Sequence, residues 1–359
     1  MLVRSSAEGA TQPTPLNKIL RASALLLFLF GALFTSPAHS ARFDGCNVKP
    51  TSPLVVNVKD KDAKGDGRTE DTKAIQKAID EVAGTGGTVY VPPGTYMVRA
   101  TGSKTLALRS KMTLKLADGA TLKVIPNAEP RYYTLKIHDA SDVAVVGGTL
   151  LGDRRDHKGK KGEWGMGIDI ARGSKRVTIA GVTAMKMWGD AFYVKDASDV
   201  AFCSVSALNN RRQGLSIVSA DRVLVTNSEF RATRGTRPSA GIDLEPNKPN
   251  ERITNVRIEH SKFIDNAGGG IMISGKKGEV ANIAILHNYF EGSRPILVEN
   301  APKVGSTSIC ENRFVRKETA ANQGFNTFAD AVEVVSLQTD CRKGSDMRFE
   351  KNRQTKRKH

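Results

Sequence analysis

Residues 239–247 read SAGIDLEPN and set Asp243 and Glu245 two positions apart among apolar neighbours. In an extended strand such residues share a face, roughly 6–7 Å apart. Two carboxylates at that spacing could serve as proton donor and base or nucleophile at a glycosidic bond. They could equally hold a cation or pair with nearby arginines. Neighbouring like charge can keep one carboxyl protonated near neutrality. More chemistry lies upstream: Asp190 in WGDAF (188–192), Arg211, Arg212 and Gln213 in RRQGLSI (211–217), and Arg234 and Arg237 just before SAGIDLEPN. Guanidinium groups there could hold substrate carboxylates in bidentate pairs. The segment GDRRDHKGKKGEWG (152–165) adds His157 and Glu163 as groups that could reach in, and Trp164 as a surface on which a sugar ring could stack. A solvated basic loop with a packing tryptophan is the alternative.

Residues this far apart in the chain need a scaffold that stacks them, and the sequence supplies one by repeating itself. MGIDIARGSKRVTIAGV, DAFYVKDASDVAFCSV, QGLSIVSADRVLVTNSEF, AGIDLEPNKPNERITNVRIEHSKF and GGIMISGKKGEVANIAILHNYF each hold an alternating strand, a polar turn and a second alternating strand. Aligned on Ile168, Phe192, Leu215, Ile242 and Ile271, they step by 24, 23, 27 and 29 residues. Strands at this spacing without intervening helices predict an all-β fold, a right-handed parallel β-helix, over residues 41–345. The stripe Ala74, Ile75, Ala78, Ile79 and Val82 predicts an N-terminal amphipathic capping helix, with N-cap residues among 69–72 and Gly84 at its end.

The alignment also predicts rows. Asp190, Gln213, Ala240 and Gly269 fall just before the strands. Asp169, Tyr193, Ser216, Asp243 and Met272 form an outward row, and Lys195, Val218 and Glu245 the next. Coils repeat at about 4.8 Å, so Asp190 and Asp243, two coils apart, stand on the order of 10 Å apart along the stack. A shared wall of Asp190, Tyr193, Arg212, Asp243 and Glu245 follows. Asn209, Asn210, Asn227, Asn266 and Asn288, near coil corners, read as stacked turn residues rather than ligands.

The ends bound the setting. Lys18 and Arg21 precede the apolar run ASALLLFLFGALF (22–34), and SPAHSA follows, the pattern of an export signal over residues 1–40. Thirteen apolar residues fall short of the ~20 that span a bilayer. The four cysteines, Cys46, Cys203, Cys310 and Cys341, would then meet an oxidising compartment. Three pairings are open: Cys310–Cys341 would close a C-terminal loop, with Cys203 a buried thiol. No Cys-x-x-Cys pair suggests zinc. The 359 residues carry a net charge of +17, part of it in the tail KNRQTKRKH, which with the rest of residues 346–359 reads as disordered. The excess over the body favours an anionic partner, and export makes nucleic acid the weakest of these.

The block VNVKDKDAKGDGRTEDTKAIQKAIDEVAGTGGTVYVPPGTYMV (56–98), followed by VAVVGGTLLGD (143–153), strongly resembles the opening of the pectate-lyase-type right-handed parallel β-helix superfamily, polygalacturonase-like hydrolases (glycoside hydrolase family 28) included. The resemblance implies carboxylate catalysis where coils enter one sheet, at patterns Asn-Thr-Asp, Gly-Asp-Asp and Gly-His-Gly. This chain reads GMGI at the first, keeps Asp190 at the second, and has Gln213 for the histidine. A rearranged site is therefore expected.

The function expected is a secreted or periplasmic enzyme that hydrolyses an anionic, uronate-like polysaccharide. Asp190, Asp243 and Glu245 would be catalytic. Arg211, Arg212, Tyr193, Gln213, Trp164, Glu163, His157 and Arg237 would bind substrate, with no cofactor or metal. The alternatives are a lyase or uronan epimerase, in which arginine or lysine abstracts the proton α to the carboxyl and the acids hold calcium, and a non-catalytic polysaccharide-binding β-helix.

Overall fold

The computed structural model describes residues 45–274, 277–292, 294–299 and 303–315, with the short strand Val332–Glu333. The expected export signal, the 346–359 tail and Cys341 lie outside them. Successive strands pair in parallel into a β-solenoid of about nine turns. A ten-stranded sheet forms one wall. An eighteen-stranded sheet wraps the others, because Phe192–Cys203 and Leu215–Thr226 run from one wall to the next. They bend where the register shifts. Lys195 pairs with Ser219, which leaves Val218 unpaired. The expected row of Lys195, Val218 and Glu245 is therefore wrong by one residue.

Alternation dictates the interior. Ile168, Phe192, Leu215, Ile242, Ile271 and Ile296 stack inward, all fully buried. Each such side chain is worth about 1.5–3 kcal/mol of burial. On the third wall Phe230, Phe263, Phe290 and Phe314 stack with centroids 5.2, 4.9 and 5.0 Å apart, close to the strand spacing. One α-helix is found among the described residues, α1 (Thr72–Val82), which buries Ile75, Ala78, Ile79 and Val82. Its N-cap residue is Asp71, whose carboxylate accepts from the backbone N–H groups of Lys64 and Gly65 rather than from the helix.

Corners are held by polar side chains. Asn210, Asn266, Asn288 and Asn312 each accept a backbone N–H with Oδ1 and donate Nδ2 to the carbonyl of an earlier coil. Asn210, Asn266 and Asn288 are thus turn residues, as their positions suggested. At another corner Lys111, Asp142, Arg176, Asp199, Arg222 and Asn255 occupy successive coils, all with φ between 54° and 60°. Arg176 forks onto Asp142 at 2.6 and 2.8 Å, and Arg222 onto Asp199 at 2.6 and 3.0 Å.

Cys203 is not a thiol. It is bonded to Cys46, 157 residues away, and ties the N-terminal segment to the end of the strand Phe192–Cys203 on the wrapped sheet. Cys310 is disulfide-bonded too. Replacing Cys46 and Cys203 by serine is expected to lower unfolding free energy by about 2–4 kcal/mol. Denaturant melts of the oxidised protein and the double variant would measure it, and equal midpoints would contradict it.

Candidate functional site

The outward row predicted from the repeats forms: Asp169 pairs with Tyr193, Tyr193 with Ser216, Ser216 with Asp243, and Asp243 with Met272. The row before it forms as well. The N–H of Ala191 bonds the Gln213 carbonyl, that of Gly214 the Ala240 carbonyl, and that of Gly241 the Gly269 carbonyl. Asp190 is brought in tightly by Gly189, where a Cβ would meet the Glu163 carbonyl oxygen at 2.3 Å. Only glycine lets the 152–165 insertion pack this close to the coil.

Arg212 organises the wall. Its Nη1 lies 2.9 Å from Asp190 Oδ2 and 3.2 Å from Ser216 Oγ, and its Nη2 bonds both Glu245 oxygens at 3.2 and 3.1 Å. Ser216 donates to Asp190 Oδ2 at 3.0 Å. Asp243 sits beside this group with its own partners. Gln213 Nε2 donates to Oδ2 and Ser274 Oγ to Oδ1, both at 2.7 Å. Gln213 cannot flip, because its Oε1 accepts the Ala240 N–H at 2.8 Å. Asp190 and Asp243 are fully buried, while Glu245 and Arg212 keep 7% and 8% exposure. Anything that reaches the network arrives from the Glu245–Arg212 side.

Burial sets the electrostatics. It pushes the Asp190 carboxyl up to about 7, against the pull of Arg212 and with the push of Glu245. It raises Asp243 too, again with Glu245 adding. The Tyr193 phenol, half-buried, is raised by burial and by the charges of Glu245, Asp169 and Asp190, and stays a proton donor. Two atoms remain without a hydrogen-bond partner, Asp190 Oδ1 and Arg212 Nε. Buried polar atoms are seldom left so.

Several expected roles do not fit the geometry. Arg212 is not a free substrate clamp, since both of its Nη groups are taken by carboxylates. Arg211 lies flat on Trp188, 3.8 Å from the ring centroid, and donates to the Gly162 and Trp188 carbonyls. His157 does not reach into a groove. Its side chain is fully buried, stacked on Trp188 at 4.1 Å, with Nδ1 2.9 Å from Asp153. Gln213 is fully buried and orients Asp243. Trp164 is half-buried under Arg131, 4.8 Å away. Glu163 is half-buried and stands 3.8 Å from Arg212 Nε, at the lip of the network. Arg237 is exposed and lies toward Glu299, whose carboxyl burial raises while Arg294 and Arg237 pull it back.

Other groups were not singled out from the sequence. Ser274 follows Met272 by two residues and is visible only once register is known. His138 Nε2 pairs with Asp169 Oδ2, and the His138 ring meets Tyr133 edge-on at 6.1 Å. With Arg131 and Lys136 these residues give the earlier coils a wetter, cationic stretch of the same wall. KIHDA carries the histidine in plain view, but the aligned repeats began one coil later. Among the described residues no three His, Cys, Asp or Glu side chains are grouped as a metal-ligand set.

Comparison with known proteins agrees on the architecture. The family described as "Rhamnogalacturonase A/epimerase, pectate lyase-like" matches residues 55–123, and "Right handed beta helix region" matches 161–290. The chain is 25% identical over 347 residues to the Bacillus subtilis protein YclG, itself uncharacterized. That match covers 82% of this chain, which spans only 56% of the relative's length. The A-module of the Azotobacter vinelandii mannuronan C-5 epimerase AlgE4 superposes with a TM-score of 0.51 at 22% identity, over 73% of this chain and 88% of that one. A Yersinia enterocolitica family 28 exopolygalacturonase superposes with a TM-score of 0.55 at 16% identity, over 76% and 67%. The fold is the pectate-lyase-like β-helix, and at these identities the solved structures speak to fold alone.

Proposed function

We propose that this chain is an exported enzyme that acts on an acidic, uronate-containing polysaccharide and hydrolyses its glycosidic bonds with a carboxyl pair. One observation carries the reading: Asp190, pushed up to about 7, and the Glu245 carboxylate share a single guanidinium. Both oxygens lie within 2.9 and 3.3 Å of the same Arg212 Nη1, so they are at most about 6 Å apart. A carboxyl that keeps its proton near neutrality can protonate a leaving oxygen, and a nearby carboxylate can activate water or attack the sugar. Asp243, saturated by Gln213 and Ser274, holds the wall in register, while burial and the charge of Glu245 keep Asp190 protonated. Sequence relatives named as a mannuronan C5-epimerase and an exo-poly-alpha-D-galacturonosidase support the choice of a polyuronate. The reaction needs no cofactor. In this reading residues 1–40 direct export, and α1 covers the first coil.

A second reading rests on the His138–Asp169 pair beside Tyr133, with Arg131 and Lys136 to neutralise a uronate carboxylate. A base oriented by a carboxylate and a phenol donor suit proton removal at C5, the first step of a lyase or epimerase. Incubation with polygalacturonate and alginate separates the two. New reducing ends without unsaturated products support hydrolysis. Unsaturated uronates, or C5 inversion seen by NMR, would replace it with the second reading. Binding without turnover on any acidic glycan would overturn both and leave a binding module.

A further inference from the structure

The N-terminal segment crosses the outside of the solenoid as a strap fixed at its two ends. At one end Cys46 is bonded to Cys203, and Thr178 Oγ1 donates to the Gly45 carbonyl at 2.7 Å. At the other the N–H groups of Thr51 and Ser52 bond the Gly86 carbonyl at 3.0 and 3.2 Å. Between them, residues 47–50 make no hydrogen bond to the coils among the described residues. The strands beneath are Met112–Leu116, Ser141–Val146 and Ser174–Ala180, none of which carries a member of the Arg212 network. Their outward row there is Thr113, Ala144 and Thr178, all small, so the strap stands off the sheet. The result is a cleft of about 420 Å³, within the size range of small-ligand sites.

The lining is cationic and hydroxyl-bearing. Lys49, Lys111 and Arg176 face one carboxylate, Asp142, and Arg176 already consumes it. Lys49 and Lys111 are exposed and form no ion pair among the described residues. Asn47, Thr113 and Thr178 supply groups that can exchange hydrogen bonds with sugar hydroxyls.

We propose that the strapped cleft is a second saccharide-binding site, separate from the Arg212 network, which takes an anionic sugar chain through Lys49 and Lys111. This rests on the acidic-polysaccharide reading above. A second point of attachment raises the local concentration of a long polymer at the first site without any new catalytic contact.

Affinity electrophoresis in gels containing polygalacturonate or alginate tests it. The full chain is compared with Lys49→Gln/Lys111→Gln and with a charge-matched control on the exposed face of α1, Lys73→Gln/Lys77→Gln. The cleft variant is expected to be retained roughly three- to tenfold less, and the control to change less than about twofold. All four lysines are exposed, so melting temperatures should match and a fall in one variant would expose misfolding. Equal losses in both variants would reduce the effect to net charge, and unchanged retention in the cleft variant would remove the site while leaving the first reading intact. A parent protein retained on neither glycan would sink both.

Discussion

Asp190→Asn is expected to lower turnover of an acidic polysaccharide by about 10²–10⁴-fold, the usual contribution of a positioned general acid. The amide is close to isosteric and can still meet Ser216, so the wall should keep its shape. Loss of kcat with little change in KM would place Asp190 on the proton rather than on substrate binding. Undiminished kcat would end the hydrolytic reading. The same variant carries a stability signature. Asp190 titrates near 3.8 unfolded and at about 7 folded, so the folded chain holds its proton longer. Stability from this group is complete below pH 4 and is lost as pH rises to about 7, by up to about 4 kcal/mol. The parent should therefore melt lower at pH 8 than at pH 5, and Asp190→Asn should flatten that slope. Asp243, raised in the same direction, leaves a remainder.

Arg212→Met should cost about 3–5 kcal/mol of unfolding free energy, among the larger effects a single side chain produces, because it strands two buried carboxyls. One guanidinium serves Asp190 and Ser216 with Nη1 and Glu245 with both Nη groups. No hydrophobic replacement offers those donors. Arg212→Lys should recover part of the loss, since one ammonium cannot span both carboxyls in the same plane. Without the guanidinium the carboxyls take up protons more readily, so the deficit should be largest above pH 7 and shrink toward pH 4. Urea denaturation across that range measures it. A loss below about 1 kcal/mol at pH 8 would mean that the ion pairs are not what holds the wall.

How much of this was legible in the sequence depends on which physical rule was periodic. Burial of every second side chain repeats along each coil, so Ile168, Phe192, Leu215, Ile242 and Ile271 announced the stack, and their register carried Asp169, Tyr193, Ser216 and Asp243 into one row. The Val218 bulge escaped because alternation resumes on either side of it. RRQG gives no hint that Arg212 turns in among carboxylates while Arg211 lies on Trp188. That choice is made by loop 152–165 and by Asp190, neither of which is local. The histidine in that loop looked free for a related reason: Asp153 lies only four residues before it, but Trp188, on which it stacks, comes from the following coil. The pairing of Cys46 with Cys203 was one of three, and only the path of the strap decides it.

The corner column Lys111, Asp142, Arg176, Asp199 and Arg222 has a parity. Each carboxylate is flanked above and below by a cation, so shifting the stack by a single turn would set like beside like at the junction. Shifting by two would restore the match. Growth of this cylinder by tandem duplication is thus cheapest in pairs of turns, and a lone inserted turn would carry an electrostatic fault unless its corner residue were neutral. The column ends that way: Asn255 and, one turn on, Asn282 take the place of the charges, and past that point the alternation no longer limits how many turns follow.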